Sequence, residues 1–364
     1  MSDYFDRIAD EWRSRAAELA EWSMTHLVNR TDVWGRYLSK RQRKGEFGAK
    51  NSAITAPFRE ERGKVFLNVT SLEKHFKTRD VGGVLGLHST SSDLTSRWLA
   101  IDIDLHDEDD LSVSPQGNFV AAHHWYEQIV AQGGDPLLLD SNGKGGFHLL
   151  LLLAAPMETA SVHAFGKKLT EDFERRGLDR QPEIFPGSPK WDHHGDWLRL
   201  LGRHHTRDHY TRVWNDEPWA EEQRWLEGCD AIDRVLRTAP LPIETAESLG
   251  LRPARRTICL DFDGVIHSYR SGWCGSEVIP DPPIHGVQQA IARLRQRYRV
   301  VVHSARCATD AGHEAVKAWL VKHGVEVDDV CRFKPPATVY VDDRAVPFRG
   351  DWLQTITDIH DFRK

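Results

Sequence analysis

The chain opens with apolar residues at helical spacing. Phe5, Ile8, Ala9, Trp12, Ala16, Leu19 and Trp22 recur every three or four positions, predicting an amphipathic helix over residues 3–28. Residues 36–64 break that pattern with nine Lys or Arg against three Glu, cut by Gly and Pro, and read as a basic, loop-rich stretch. From about 65 to 215, short β-branched or Leu-rich runs alternate with helical segments, an α/β or α+β pattern. Within it WLAIDID alternates as a strand: Leu99, Ile101, Ile103 and Leu105 share one face, and Trp98, Ala100, Asp102 and Asp104 the other. The apolar run from Leu149 to Pro156 predicts a buried strand. A helix is expected from Glu221 to Thr238, then a linker over 241–255. Beyond it, ICLDF, GVQQAIARLRQRY, VVVHS, HEAVKAWLVKHG and TVYVD follow the strand–helix rhythm of a parallel sheet.

Composition narrows the class. A chain of 364 residues with 40% hydrophobic and 28% charged residues is globular and long enough for two or three domains. No apolar run approaches the roughly 20 residues of a membrane span, and MSDYFDRIADEW carries acids where a secretory leader carries positive charge. The expectation is a cytoplasmic protein without a membrane partner. Five cysteines with no metal-clip spacing fit a reducing compartment. The paired histidines (His123–His124, His193–His194, His204–His205) lack a local set of further zinc ligands.

Chemistry concentrates in two places. In the C-terminal part, ICLDFDGV puts Asp261 and Asp263 at the carboxyl end of a strand, where open parallel sheets bind ligands. A buried strand has no structural use for two carboxylates two residues apart, so their charge needs compensation. Ser304 ends the next strand, Lys334 precedes two prolines, and Asp342–Asp343 end a third strand. Acids, hydroxyl and lysine at neighbouring strand ends can converge on a phosphate held by a divalent metal. DFDGV, the Ser of VVVHSAR, the Lys of FKPPA and VYVDD together resemble the four motifs of the haloacid-dehalogenase superfamily of phosphatases, over residues 256–352. The resemblance implies Asp261 as nucleophile forming an aspartyl-phosphate and Asp263 as general acid and base. It implies one Mg²⁺ held by Asp261, Asp263, Asp342 and Asp343, with Ser304 and Lys334 neutralising phosphoryl oxygens. Gaps of about forty residues from Asp263 to Ser304 and about thirty from there to Lys334 leave no room for a large lid. Arg306 resembles the SGR-like element of polynucleotide phosphatases, and reads equally as a surface salt-bridge residue.

In the N-terminal part, Asp102 and Asp104 could share a metal pair, or form a solvated acidic strand edge. LLLDSNGKGGFHLLLLL adds a Gly-rich turn with Ser141, Lys144 and His148, able to offer backbone N–H groups and a cation to phosphates. EIFPGSPKW and GDWLRLLGRHHTR add Glu183, Arg199 and Arg203. This order, with VWGRYL and VGLHSTSSDLTSRWLAIDID, resembles the archaeo-eukaryotic primase (primase-polymerase) superfamily, and within it the primase domain of TOTE-type conflict systems, over residues 30–240. The resemblance implies an RRM-like sheet on which Asp102, Asp104 and Glu183 hold two Mg²⁺ or Mn²⁺ for nucleotidyl transfer. Asp179 is the alternative third acid. His148, Ser141 and Lys144 would meet the triphosphate of an incoming NTP or dNTP, and Arg199 and Arg203 phosphate or template.

The expected architecture is therefore two α/β domains. Residues 1–240 form a primase-polymerase-like α+β core, and 256–364 a Rossmann-like phosphatase domain without a large cap. The expected partner is DNA or RNA, with the alternative that the N-terminal domain only binds nucleic acid or nucleotide beside a phosphatase. The net charge of −6 does not oppose this: IDIDLHDEDD holds six acids, and the remaining residues balance at 48 of each sign. Arg41, Arg43, Lys44 and Lys50 can track a phosphate backbone. Trp34, Trp191 and Trp197 can stack on bases or pack in a core.

Overall fold

The structure is a computed structural model that describes residues 2–37, 53–56, 59–60, 63–64, 66–79, 81–104, 114–189, 195–216 and 224–362. Arg41, Arg43, Lys44, Lys50, Trp191, His193–His194 and the acids at 107–110 lie outside the described residues. The chain divides into two compact units, Met1–Ala254 and Arg255–Lys364. It is mixed α/β. Among the described residues no helix is long and apolar enough to cross a membrane.

In the first unit, strands β1 (Trp34–Tyr37), β2 (Ala53–Ala56), β5 (Leu85–His88) and β10 (Trp197–Arg199) form a sheet in the order β10-β5-β1-β2. A ribbon pairs β3 (Arg59–Glu60) with β4 (Gly63–Lys64). The larger sheet contains β6 (Thr95–Ile103), β7 (Leu137–Asp140), β8 (Phe147–Glu158), β9 (Glu183–Phe185), β11 (Arg212–Trp214) and β12 (Trp225–Leu226), in the order β12-β11-β7-β8-β6-β9.

Both faces of the larger sheet are buried, which explains the unbroken leucine run of β8. Trp98, Ala100, Leu150 and Leu152 join one core with Trp12, Leu19 and Leu72. Leu99, Ile101, Ile103, Leu149 and Leu151 join the other with Ala121, Trp125 and Val162. The period of two read from WLAIDID thus assigns each residue to its core.

Three sequence expectations change. The opening helix is two helices, Ser2–Ser14 and Ala16–His26, broken where Arg15 leaves helical geometry at φ −102° and ψ 12°. Of the helix expected from Glu221 to Thr238, residues 221–223 lie outside the described residues, Trp225 and Leu226 pair with β11 as β12, and the helix runs over Gly228–Leu236. The segment 241–255 is no free linker up to the unit boundary. Leu241 and Leu251 are buried, and backbone bonds tie Leu241 to Leu152 and Ala254 to Pro156.

The second unit is a parallel sheet of β13 (Arg256–Leu260), β14 (Tyr298–His303), β15 (Asp329–Cys331) and β16 (Val339–Val341), ordered β15-β14-β13-β16. Helices Val287–Arg295 and Asp310–Lys322 supply Ile291, Val316 and Trp319 to its core. Thr309 caps the second of these by accepting from the Gly312 amide.

Candidate functional site

In the first unit, cross-strand register assembles the acids. Asp102 lies opposite His148 on β8 and opposite Glu183 on β9. Residues paired across an antiparallel sheet share a face, so Glu183, Asp102 and His148 form one row. Asp179 sits exposed in the bend before β9, away from that row. Asp104 lies just past the end of β6, where its Oδ1 accepts from Asn142 Nδ2 at 3.1 Å.

The charge of the row is offset only through the field of Arg199. The Asp102 side chain is 19% exposed, and His148 Nε2 lies 3.5 Å from its Oδ1. That oxygen is sealed from solvent and accepts no hydrogen bond. Burial first, then the charges of Asp104 and Glu183, push the Asp102 carboxyl up to about 8, against the pull of Arg199. Burial, reinforced by Arg199, holds His148 down at about 3, so its imidazole is neutral and cannot balance the acids. Arg199 is buried with Nη2 on the Ser141 carbonyl at 2.5 Å. Burial lowers its own pKa, yet the group stays cationic.

The Gly-rich turn behaves differently from its sequence reading. The amides of Asn142 and Gly143 donate to Asp140 Oδ1, and those of Lys144 and Gly146 to Asn142 Oδ1. These N–H groups are therefore engaged within the turn rather than offered to phosphate. Asp140 is in turn paired with Arg212, whose Nε lies 2.9 Å from Oδ2. Asp140 and Asn142 went unnoticed in the sequence, although an Asx residue opening a Gly-rich turn is the pattern that builds such a loop. Ser141 is buried and Lys144 exposed at the tip.

Arg203 is also occupied. It bonds the Arg79 carbonyl, reaches Asp208 at 3.6 Å and covers the Phe5 ring at 5.9 Å. Trp197 packs rather than projects. Gly35 and Gly86 are register partners, and a Cβ on either would meet its indole at 2.1 and 2.0 Å. Beside Glu183 opens a cleft of about 520 Å³, lined also by His163, Lys167, Asp196 and Trp197.

In the second unit, β13, β14 and β16 are adjacent and parallel, so their carboxyl ends lie side by side. Asp261, Ser304 and Asp342–Asp343 directly follow them. Ligand oxygens of Asp261, Asp342 and Asp343 all fall within 4.8 Å of one another. Among the described residues this is the group of three whose atoms converge so closely; Asp102, Asp104 and Glu183 do not. Burial first, with Asp342, Asp263 and Asp343 adding, raises the Asp261 carboxyl to about 6, while a backbone hydrogen bond from Phe262 opposes the rise. Gly264, at φ +90°, has no room for a Cβ, which would meet Asp343 Oδ2 at 2.1 Å.

Asp263, expected as a fourth ligand, stands outside the group of Asp261, Asp342 and Asp343, because its carboxylate is clamped by two fully buried side chains. His267 Nδ1 lies 2.8 Å from Oδ1, and Arg306 Nε donates to Oδ2 at 2.8 Å. The Asp281 amide donates to His267 Nε2 at 3.2 Å, which leaves the ring proton on Nδ1, facing Asp263. Arg306 is thus neither a surface salt-bridge residue nor free for phosphate along that edge. His267 was missed in the sequence, where a His four residues after the second Asp gave no spacing signal of its own. Ser304 is buried and accepts from the Arg306 amide at 3.3 Å. Lys334 is exposed, with Nζ 4.2 Å from the Tyr340 ring centroid. The described histidine pairs form no metal cluster, and all five cysteines are free thiols.

No protein-family model matches the chain, and no curated protein matches it in sequence. Among solved structures, the polymerase domain from Mycobacterium tuberculosis Ligase D in complex with DNA is a distant neighbour. It shares 15% identity at a TM-score of 0.36, over 67% of this chain and 91% of that one. A likeness that shallow defines neither fold nor function.

Proposed function

We propose that the chain carries two metal-dependent activities on phosphate esters: nucleotidyl transfer of the primase-polymerase kind in residues 1–254, and phosphomonoester hydrolysis through an aspartyl-phosphate in residues 255–364. The observation that carries the first is the Asp102 carboxylate, whose sealed Oδ1 lacks a hydrogen bond while Asp104 and Glu183 add like charge. A buried carboxylate in that state fits a divalent cation. Mg²⁺ or Mn²⁺ held by Asp102, Asp104 and Glu183 would supply Lewis acidity at the phosphates of an NTP or dNTP. Of the protein's own groups, Lys144 at the turn tip supplies a cation for the triphosphate, and neutral His148 lies beside Asp102, 3.5 Å from its Oδ1. The cleft beside Glu183 has the volume of a small-ligand site.

The observation that carries the second is the convergence of Asp261, Asp342 and Asp343 at neighbouring strand ends. Three carboxylates within 4.8 Å fit one Mg²⁺, which would neutralise the phosphoryl group. Asp261 attacks phosphorus and the bond to the leaving oxygen breaks, while Asp263, protonated from solvent on a lone pair its two donors leave open, gives that oxygen its proton. Asp263 then takes a proton from the water that hydrolyses the aspartyl-phosphate, releasing inorganic phosphate. His267 and Arg306 hold Asp263 in place for both steps.

Joined in one chain, the two reactions suit nucleic-acid ends. The phosphatase would clear a blocking 3′-phosphate and the polymerase extend the exposed hydroxyl, in repair or conflict defence. The test uses Mg²⁺ or Mn²⁺, nucleotides, and primer-templates ending in a 3′-hydroxyl or a 3′-phosphate. Extension of the hydroxyl primer is expected to vanish in Asp102→Ala, and extension of the phosphate primer also in Asp261→Asn. If Asp261→Asn extends the blocked primer as well as wild type does, the coupled scheme fails. A second reading is favoured by one observation, that Asp102, Asp104 and Glu183 do not converge as the second trio does. In it the first unit only binds nucleic acid or nucleotide, and no primer is extended.

A further inference from the structure

The loop after Asp263 presents an aromatic ring whose role the hydrolysis steps leave open. Its base is fixed: the Ser271 amide and Oγ donate to the Asp281 carboxylate at 2.7 and 2.8 Å. Its middle is fixed too, because Arg306 Nη1 donates to the carbonyls of Gly275, Ser276 and Val278 at 2.6, 3.4 and 3.2 Å. Between these anchors Trp273 is flanked by Gly272 and Gly275, whose φ values of +67° and +110° bend the chain around it. The indole lies over Arg306, with its centroid 4.7 Å from Cζ, and the side chain remains 55% exposed. Arg306 is fully buried, and its Nη2 has no hydrogen-bond partner.

Asp263, Arg306 and Trp273 thus stand in series, each touching the next. Asp263 is the group that meets the leaving oxygen, so whatever that oxygen carries extends past Asp263. The aromatic surface reached next, through Arg306, is Trp273. A cation beneath one face and a pinned loop hold the ring in a fixed pose, so a second planar group can stack on it with little ordering cost. Near the same strand ends, Arg344 follows Asp343 directly and lies over the Tyr269 ring at 5.6 Å, adding a cation suited to phosphate or base.

Resting on the phosphatase reading, we infer that Trp273 is a stacking subsite for the nucleobase borne by the phosphorylated sugar. The substrates are then nucleotides, either at a nucleic-acid end or free, rather than sugar phosphates in general.

The test is a cycle between protein and substrate. Phosphate release is measured in Mg²⁺ from two oligonucleotides with a 3′-phosphate, one ending in a normal nucleotide and one in an abasic sugar. A free nucleoside monophosphate and ribose 5-phosphate form a second pair, which distinguishes ends from mononucleotides. In wild type the base is expected to raise kcat/KM about tenfold, at the low end of base–aromatic stacking. In Trp273→Ala that ratio should fall to near one, and Trp273→Phe should restore part of it. An equal loss on both members of a pair means that the indole only covers Arg306, and overturns the inference. So does a ratio near one in wild type, or one that survives Trp273→Ala. If wild type releases phosphate from none of the four substrates nor from p-nitrophenyl phosphate, the phosphatase reading itself falls.

Discussion

The two candidate sites gather acids in opposite ways. In the first unit, antiparallel register lines up Glu183, Asp102 and His148 across three strands, from exposed Glu183 on the edge strand β9 inward to β8. In the second, Asp261 and Asp342–Asp343 meet beyond the ends of parallel strands, with Asp342 exposed and the other two half-buried. Burial first, with Asp104 and Glu183 adding, raises Asp102 to about 8, against about 6 for Asp261 at the strand ends. The arginines differ in the same sense. Arg306 ion-pairs with Asp263, whereas Arg199 bonds the Ser141 and Arg203 carbonyls and acts on Asp102 only through its field. A site held by its own ion pairs keeps its geometry without a ligand. In the first unit the acids are offset only through the field of Arg199, with no ion pair to hold Asp102.

The largest expected effect separates the sites outright. Asp102→Asn should lower primer extension by at least about 10³-fold while phosphate release persists, and Asp261→Asn should do the reverse. Parallel extension and phosphate-release assays on both variants check this. Loss of both activities in either variant would show that the sites do not work independently.

Next comes the buried clamp. Arg306→Met leaves Asp263 without its partner and three loop carbonyls without a donor. A cost of about 4 kcal/mol to the second unit is expected, the middle of the range for breaking a buried ion pair. Denaturant unfolding reads it. A loss under 1 kcal/mol would mean that Asp263 is held by His267 alone.

A comparable effect in the first unit depends on pH. His75 is buried, receives the Leu85 amide on Nδ1 at 3.0 Å and donates from Nε2 to the Leu201 carbonyl at 2.9 Å. Burial lowers its pKa from 6.5 to about 4. Its neutral form therefore contributes stability that is complete above 6.5 and is lost as pH falls toward 4. The loss amounts to about 3 kcal/mol at most. His148 and His204, held down by burial to about 3 and about 2, act in the same direction. Unfolding midpoints between pH 7 and pH 4 should fall less steeply in His75→Gln, and an unchanged slope would remove His75 from the account.

Much of this was legible in the residues. Alternation in WLAIDID assigned Trp98 and Leu99 to opposite cores because side-chain direction along a strand is local geometry. The βα rhythm after residue 256 foretold the parallel sheet for the same reason. What local pattern could not carry was partnership. Nothing in the spacing of Asp263, His267 and Arg306 says that two buried donors close on one carboxylate. Nor does SNGKGG reveal that Asp140 and Asn142 consume the amides of their own turn. The helix at 243–248 was read as linker because its anchoring contact is non-local, the Leu241 amide on Leu152. Which acid stands beside Asp102 needed register as well, since only the pairing of β9 with β6 separates Glu183 from Asp179.

The smallest effects sharpen the contrast between a packed site and an open one, using glycines from each. Gly35 and Gly86 floor the slot of Trp197, and a Cβ on Gly86 would sit 2.0 Å from the indole. Gly86→Ala should therefore cost the first unit about 2 kcal/mol by overpacking and displace Trp197, whose ring lies edge-on to Tyr37 at 5.5 Å. Gly272, beside Trp273, has nothing within 4 Å of its Cβ position, so only its φ of +67° resists a side chain. Gly272→Ala should cost about 1 kcal/mol, the left-handed penalty alone. Unfolding of both variants, with tryptophan fluorescence to follow Trp197 and Trp273, tests the pair together. If Gly272→Ala is the costlier, the loop around Trp273 is packed more tightly than its open surroundings imply, and the platform inferred there loses its free face.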